Sequence, residues 1–226
     1  MDNYNLTTDD YIALLHDPDP DVRLNAAWVL GRGRDSRIVE PLIDALADEN
    51  ADVRLRVVES LGKFRDERVV ESLIAMLADD ECPVRAMAAQ SLGLTADWRA
   101  VEPLMEALND SEGQVRSQAA QSLGNLKDEQ ACESLVTALL NDADDNVRYY
   151  AARSLAEIGG AGVVDSLIEL LKAESPEIDI RIQVIEILAK LGDRRAIEPL
   201  KLLLDDPEES INAMAAWALQ QLENGG

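Results

Sequence analysis

Asp21-Val22-Arg23-Leu24-Asn25-Ala26-Ala27-Trp28-Val29-Leu30-Gly31 decides the fold, because its skeleton returns along the whole chain. A Val-Arg pair or its equivalent recurs as Val22-Arg23, Val53-Arg54, Val84-Arg85, Val115-Arg116, Val147-Arg148, Ile180-Arg181 and Ile211-Asn212. The steps between them are 31, 31, 31, 32, 33 and 31 residues. Behind the pair come a small or branched doublet and then leucine, as in Ala26-Ala27 with Leu30, Ala88-Ala89 with Leu92, Ala119-Ala120 with Leu123 and Ala151-Ala152 with Leu155. A period in this range means that each repeat is one supersecondary unit, unable to bury its apolar face until neighbours stack on it. The expected fold is therefore all-α, a single α-solenoid of about seven two-helix repeats wound as a right-handed superhelix. Its expected repeat boundaries are 8–34, 35–65, 66–96, 97–127, 128–159, 160–192 and 193–226.

Two amphipathic stretches alternate within one period. In the fourth repeat, Val101, Leu104, Met105 and Leu108 follow the i, i+3, i+4, i+7 spacing of a helix face, and Pro103 sits in the first turn, where a missing N–H is tolerated. The second helix runs from Val115 to about Leu126, with Val115, Ala119, Ala120 and Leu123 on one face. Gly31, Gly62, Gly93 and Gly124 recur near its end and Gly159 and Gly192 lie three residues later in their repeats, so all are read as helix terminators. The longest irregularity, Lys172 to Asp179 with Pro176, widens one repeat by two residues and is expected to bend the superhelix locally.

Aspartates keep the same period. Asp35, Asp66, Asp97, Asp128 and Asp193 each stand twelve residues after a repeat arginine, which puts a carboxylate at the N-cap of the following helix. A second series, Asp17, Asp48, Asp79, Asp110 and Asp142, closes the first helices, with Glu174 and Asp205 in line after it. The repeat arginines lie six or seven residues beyond these acids. Because both sets recur with the period, whereas recognition residues vary, they are read as a hydrogen-bonded ladder between repeats and not as a charged binding track.

The 226 residues are 47% hydrophobic but only 4% aromatic, the makeup of closely packed helices rich in Ala, Leu, Val and Ile. Acidic residues outnumber basic ones 44 to 21, giving a net charge of −23, which repels phosphate backbones and anionic lipid surfaces. The expectation is no nucleic acid and no membrane as partner. The acidity itself suits either a crowded or salty cytoplasm or a basic partner. Met1 to Asp10 is polar and acidic, and no apolar run approaches the ~20 residues that span a bilayer, so a cytoplasmic location is expected. Cys82 and Cys132, outside any CxxC spacing, read as buried reduced thiols.

Asp21 to Gly31 and Arg99-Ala100-Val101-Glu102-Pro103-Leu104 resemble the short HEAT-like repeats first described in phycobilisome lyases. The resemblance covers nearly the whole chain and implies that the second helices line a concave face. Positions two, three, six and ten residues past each repeat Val or Ile map that face, and there the seven copies disagree most. The candidate protein-binding residues are Trp28, Arg32, Arg56, Glu59, Met87, Gln90, Gln118, Gln121, Tyr149, Tyr150, Arg153, Gln183, Glu186 and Trp217. Trp, Tyr and Arg give large contact area with a polar handle, the makeup of interface hot spots. Two readings stand for Trp28 and Trp217, cover for the terminal repeats or recognition; for Tyr149 and Tyr150, inside the array, recognition is preferred.

Catalytic chemistry is missing from the pattern. His16 is the only histidine and is followed only by Asp17, which leaves neither a His-dependent triad nor a His-ligated metal. HEAT-type hydroxylases need several His-Glu pairs, and HEAT-type DNA glycosylases need a basic groove; neither is present. Neither a GxGxxG nor a Walker sequence occurs. The expected function is a non-enzymatic protein-binding scaffold or assembly factor without cofactor. The resemblance implies an alternative, a bilin lyase subunit or phycobilisome-processing factor that handles a phycobiliprotein and transiently its open-chain tetrapyrrole. Trp28, Arg32, Arg56, Lys63, Tyr149, Tyr150 and Arg153 would then stack on the rings and pair with the propionates. The partners are correspondingly a protein client, a phycobiliprotein or another HEAT-like subunit.

Overall fold

Many helices of this chain begin where a side chain accepts the free N–H groups of a first turn; the helices Cys82–Thr95 and Ile178–Leu191 begin without one. Asp19 caps the helix Pro20–Leu30 through the Asp21 N–H, Asn50 caps Ala51–Leu61 through Asp52 and Val53, and Asp144 caps Asp145–Ile158 through Asn146. Asp35, Asp66, Asp97, Asp128 and Asp193 cap the first helices, each accepting the N–H two residues on. In four of the five the capped segment opens as a 3₁₀ turn, Ser36–Ile38, Trp98–Ala100, Glu129–Ala131 and Arg194–Ala196, before turning α-helical.

The computed structural model describes residues 6–33, 35–172 and 177–224. Among these are fourteen α-helices and no strand: α1 Thr8–Leu14, α2 Pro20–Leu30, α3 Val39–Asp44, α4 Ala51–Leu61, α5 Glu67–Ala75, α6 Cys82–Thr95, α7 Val101–Ala107, α8 Gly113–Leu126, α9 Cys132–Asn141, α10 Asp145–Ile158, α11 Gly160–Lys172, α12 Ile178–Leu191, α13 Ile197–Leu202 and α14 Glu209–Asn224. Odd-numbered helices are the first of each pair and even-numbered the second. Residues 173–176 of the segment 172–179, with Glu174 and Pro176, lie outside the described residues, and the expected bend falls there.

Two compact units make up the chain, Met1–Ser122 and Leu123–Gly226. In the first, α2 packs on α4 and α4 on α6, with α3 packed on α4 and α5 on α6; in the second, α10 packs on α9 and α12, and α12 on α14. Each is an α-solenoid stack. The core is the repeat skeleton itself: Val53, Val84, Val115, Val147 and Ile211, with Leu61, Leu92, Leu123 and Leu155, are at most 1% exposed. Each such side chain contributes roughly 1.5–3 kcal/mol of burial.

The arginine ladder is present and structural. Arg54 sends Nε and Nη2 to the two oxygens of Asp79 at 2.7 and 2.9 Å, while Nη1 holds the Asp48 carbonyl at 2.9 Å in its own repeat. Arg23 with Asp48 and Arg85 with Asp110 repeat the fork. One guanidinium thus closes its own loop and grips the next. Each Asp also accepts the N–H two residues on, as Asp79 does from Glu81. The Arg54 guanidinium holds the Asp79 carboxyl below its usual range. At the seventh repeat the reading of Asp205 is corrected: Arg181 pairs with Asp206, which keeps the five-residue offset from the repeat Ile that Asp48 and Asp79 keep from their valines.

A second correction concerns the glycines. Gly159 and Gly192 do end helices with positive φ, and Gly31 and Gly62 end α2 and α4 in right-handed conformation, but Gly93 and Gly124 lie inside α6 and α8. Gly31, Gly62, Gly93 and Gly124 face Ser60, Ser91, Ser122 and Ser154 on the next second helix, and an added Cβ at Gly93 would stand 2.8 Å from the Ser122 Cα. The serines use the closeness: Ser60 Oγ donates to the Ala27 carbonyl at 3.0 Å and Ser122 Oγ to that of Ala89 at 2.8 Å. The recurrence is set by helix-to-helix approach, and a backbone surface without side chains is what lets it happen.

Candidate functional site

Side chains two, three, six and ten residues past the repeat Val or Ile emerge on the second helices, but not uniformly. Ala86 and Ser117, two residues past the repeat valine and read as part of the exposed strip, are buried instead. They are small enough to be covered by the adjoining helix, whereas Tyr149 at the same register is 56% exposed.

In the first unit the charged side chains of the strip are engaged with one another or with an aromatic ring. Arg32 lies over the Trp28 ring at 4.7 Å, a cation–π stack that covers a tryptophan 41% exposed. Arg56 pairs with Glu59, and Lys63 approaches the same carboxylate at 3.7 Å. Met87, Gln118 and Gln121 are half-buried and Gln90 is exposed.

In the second unit the strip opens into a cleft of about 490 Å³ between α10 and α12, lined by Tyr149, Arg153, Glu157, Gln183, Glu186 and Lys190 over a floor of Ala152, Ala156 and Ile187. The floor explains the cleft. Ala156 and Ile187 occupy the register where the four preceding steps carry glycine and serine, and an isoleucine cannot come as close to a helix backbone as a serine does. The Tyr149 and Tyr150 rings meet edge to face, centroids 5.2 Å apart, with Tyr150 half-buried as the support and Tyr149 projecting. Arg153 Nε donates to Glu157 at 2.8 Å, and Glu157 together with Tyr149 raises the arginine pKa. Glu186 and Lys190 make no ion pair among the described residues. Trp217, on α14, is 41% exposed. The structure therefore brings Tyr149, Tyr150, Arg153, Gln183 and Glu186 to one place, and leaves Trp28, Arg32, Arg56, Glu59, Met87, Gln90, Gln118 and Gln121 on the first unit and Trp217 on another helix of the second.

Sequence reasoning missed the cleft floor, and it missed a second arginine series. Arg37, Arg68, Arg99 and Arg195 bind the N-cap aspartate two residues before them and reach back to Asp9, Glu40, Glu71 and Asp165 on the preceding first helix. The signal was the recurring Asp-x-Arg of residues 35–37, 66–68, 97–99 and 193–195, which Gln130 interrupts.

Cys132 is buried and Cys82 half-buried beside Gln114; both are free, and burial raises both thiol pKa values. Among the described residues no group of three or more His, Cys, Asp or Glu could hold a metal ion, and no helix is long and apolar enough to cross a membrane.

Stacked helix pairs tied by periodic arginines, with a variable side-chain row on the second helices, define a helical-repeat protein. The family model for HEAT repeats matches residues 8–83, 70–145 and 132–220, and the chain belongs to the HEAT-repeat family. Among solved structures it is similar to the complex of CpcE and CpcF of phycocyanin lyase from Nostoc sp. PCC7120, with 24% identity, a TM-score of 0.62, and coverage of 99% of this chain and 96% of that one. It is similar to the Escherichia coli protein YibA at 21% identity and TM-score 0.57, over 96% of this chain and 93% of that one. Human deoxyhypusine hydroxylase follows at 20% identity and TM-score 0.50, over 96% of both chains. At these identities the likeness is one of fold. No curated protein matches the sequence.

Proposed function

We propose that this chain is a non-enzymatic protein-binding scaffold or assembly factor whose client docks on the second-helix face, centred on the cleft between α10 and α12. The carrying observation is that cleft: a projecting tyrosine, an arginine held ready by Glu157, and charges of both signs over a small apolar floor. Such a surface combines an aromatic anchor with directional polar groups, the composition of a protein hot spot. A bilin-handling role, suggested by the likeness to the phycocyanin lyase complex, fits the side chains less well. Arg56 is already paired with Glu59, and Lys63 lies 3.7 Å from the same carboxylate, so a propionate would have to compete with Glu59 at both.

Replacing Tyr149, Tyr150 and Arg153 together by Ala tests this. The client complex, captured from the native cell and quantified by mass spectrometry, should weaken by at least ~2 kcal/mol, with helicity retained. Undiminished capture by the folded triple variant would refute the assignment of the client to this face. Added phycocyanobilin should leave the red-region absorbance of the protein–bilin mixture unchanged; a shift that Arg32 and Arg56 substitutions abolish would favour the lyase-type reading.

A further inference from the structure

Three side-chain atoms of the described residues are buried without a hydrogen-bond partner: Arg56 Nε, Gln118 Oε1 and Gln183 Oε1. All three belong to one register position, three residues past Val53, Val115 and Ile180. Buried polar atoms are nearly always paired, so one orphan is an accident, but recurrence at a single register is a property of that position. Its other occupants, Asn25, Met87, Tyr150 and Met214, are adaptable or hydrogen-bonding side chains as well.

Gln183 is the orphan that lines the α10–α12 cleft. Its Oε1 satisfies nothing where it lies, so turning the amide outward breaks no hydrogen bond and delivers an acceptor to the cleft wall. Beside it stand Glu186, which makes no ion pair among the described residues, and an apolar floor of Ala152, Ala156 and Ile187. The cleft's own charges balance, Arg153 and Lys190 against Glu157 and Glu186, so its preference of sign comes from the chain as a whole, whose net charge of −23 draws cationic segments and discourages anionic ones. Acceptor, free carboxylate and floor match three features of one kind of ligand: a main-chain N–H, a basic side chain and an apolar side chain.

We propose that the α10–α12 cleft takes an extended basic segment of a partner protein, with Gln183 accepting one backbone N–H, Glu186 pairing with a Lys or Arg, and an apolar side chain resting on Ala156 and Ile187. This rests on the scaffold reading and specifies its ligand. Gln183 and Glu186 are then the specificity-determining residues, and Tyr149 closes the side of the cleft over the bound chain.

A random dodecapeptide library, panned against the immobilised full-length chain, supplies the probe. The expected winners carry an apolar residue close to Lys or Arg. The best of them should bind the Glu186→Lys variant about 10-fold more weakly, and exchanging its basic residue for Glu should restore binding to that variant. N-methylation of one backbone amide should weaken binding to the wild type about 10-fold and leave binding to Gln183→Leu, already weaker, unchanged. Both substitutions are at half-buried positions, and circular dichroism checks that they fold; Tyr149→Ala, at an exposed position, gives an independent loss. The proposal is overturned if winners are acidic or share no consensus, if nothing is enriched, or if charge exchange and N-methylation have no effect. Peptides that lose affinity on Trp28→Ala but not on Gln183→Leu would overturn it while leaving the scaffold reading intact. Loss of client capture by the triple variant together with failed charge exchange would do the same.

Discussion

In the first unit every step from one second helix to the next is closed by glycine against serine; in the second unit only Gly124 against Ser154 keeps that device, and Ala156 with Ile187 replaces it at the next step. The stretch with the device is tight and its exposed charges are largely paired among themselves, as at Arg56 with Glu59. The stretch without it holds the cleft, the projecting Tyr149, and a free carboxylate at Glu186. The difference teaches that a solenoid makes a site by relaxing its own repeat rule. Gly and Ser set the closest approach two helices can reach, and a larger pair at the same register opens the groove between them.

The strongest attack on this comparison is Gly93→Ala. Gly93 lies inside α6, where alanine is better than glycine by about 1 kcal/mol on propensity alone. Its new Cβ would nevertheless stand 2.6 Å from the Ser122 Cβ and 2.8 Å from its Cα, so the backbone of α8 would have to move. Overpacking of that kind outweighs the propensity gain, and a net loss of roughly 3 kcal/mol is expected by urea denaturation. Adding Ser122→Gly should recover most of it. A stabilised Gly93→Ala protein would show that the close approach does not exist.

Next in size is Arg54→Ala, which leaves Asp79 buried without its guanidinium and the Asp48 carbonyl without its donor. The expected loss is roughly 2 kcal/mol at neutral pH. The Asp79 carboxyl titrates below its unfolded value because Arg54 binds its charged form. A depressed carboxylate stabilises the fold above its unfolded pKa, about 4, and that contribution disappears as the pH falls through the folded value. Wild type and variant should therefore differ most at pH 5 to 7 and converge as the pH falls below the unfolded value of about 4. A gap that persists undiminished in acid would assign the loss to packing of the arginine stem instead. Binding by the folded variant should be unaffected, since no ladder arginine lines the cleft.

Much of this was legible in the sequence because the signals were periodic. Val53, Val84 and Val115 with their arginines recur at a near-constant step, and a repeated pattern announces both a core position and its ladder partner. Asp206 was missed by one residue only because Asp205 is also an aspartate, and the offset from Ile211 would have distinguished them. Gly31, Gly62, Gly159 and Gly192 do end helices as expected, but Gly93 and Gly124 were misread because glycine has two uses, helix termini and close approach, and sequence alone favours the commoner one. Pairing each glycine with the serine 29 or 30 residues ahead would have revealed the second use. Tyr149, Tyr150, Arg153, Gln183 and Glu186 were picked out by variability at an exposed register. The cleft between them was not, because it depends on the sizes of Ala156 and Ile187, which look like ordinary core residues.

The smallest effect separates the two uses of glycine on a single helix. α6 ends with Ala96 in the left-handed region at φ 56°, the register filled by Gly159 and Gly192 in the second unit, where φ is 65° and 69°. An alanine there carries the steric penalty between its Cβ and the following carbonyl that glycine escapes. Ala96 is also exposed, so no packing is lost when its methyl group is removed. Ala96→Gly should accordingly stabilise the protein by about 0.5–1 kcal/mol, less the backbone entropy that glycine adds to the unfolded chain. Gly192→Ala should destabilise it by a similar amount, since a Cβ there meets nothing within 4 Å and only the backbone conformation opposes it. Three residues before Ala96, at Gly93, glycine is preferred as well, but because a Cβ would meet Ser122 and not because of the backbone conformation, so Gly93→Ala runs against the preference that Ala96→Gly satisfies. If Ala96→Gly and Gly93→Ala shifted the melting temperature in the same direction, the assignment of one position to backbone conformation and the other to helix approach would be wrong.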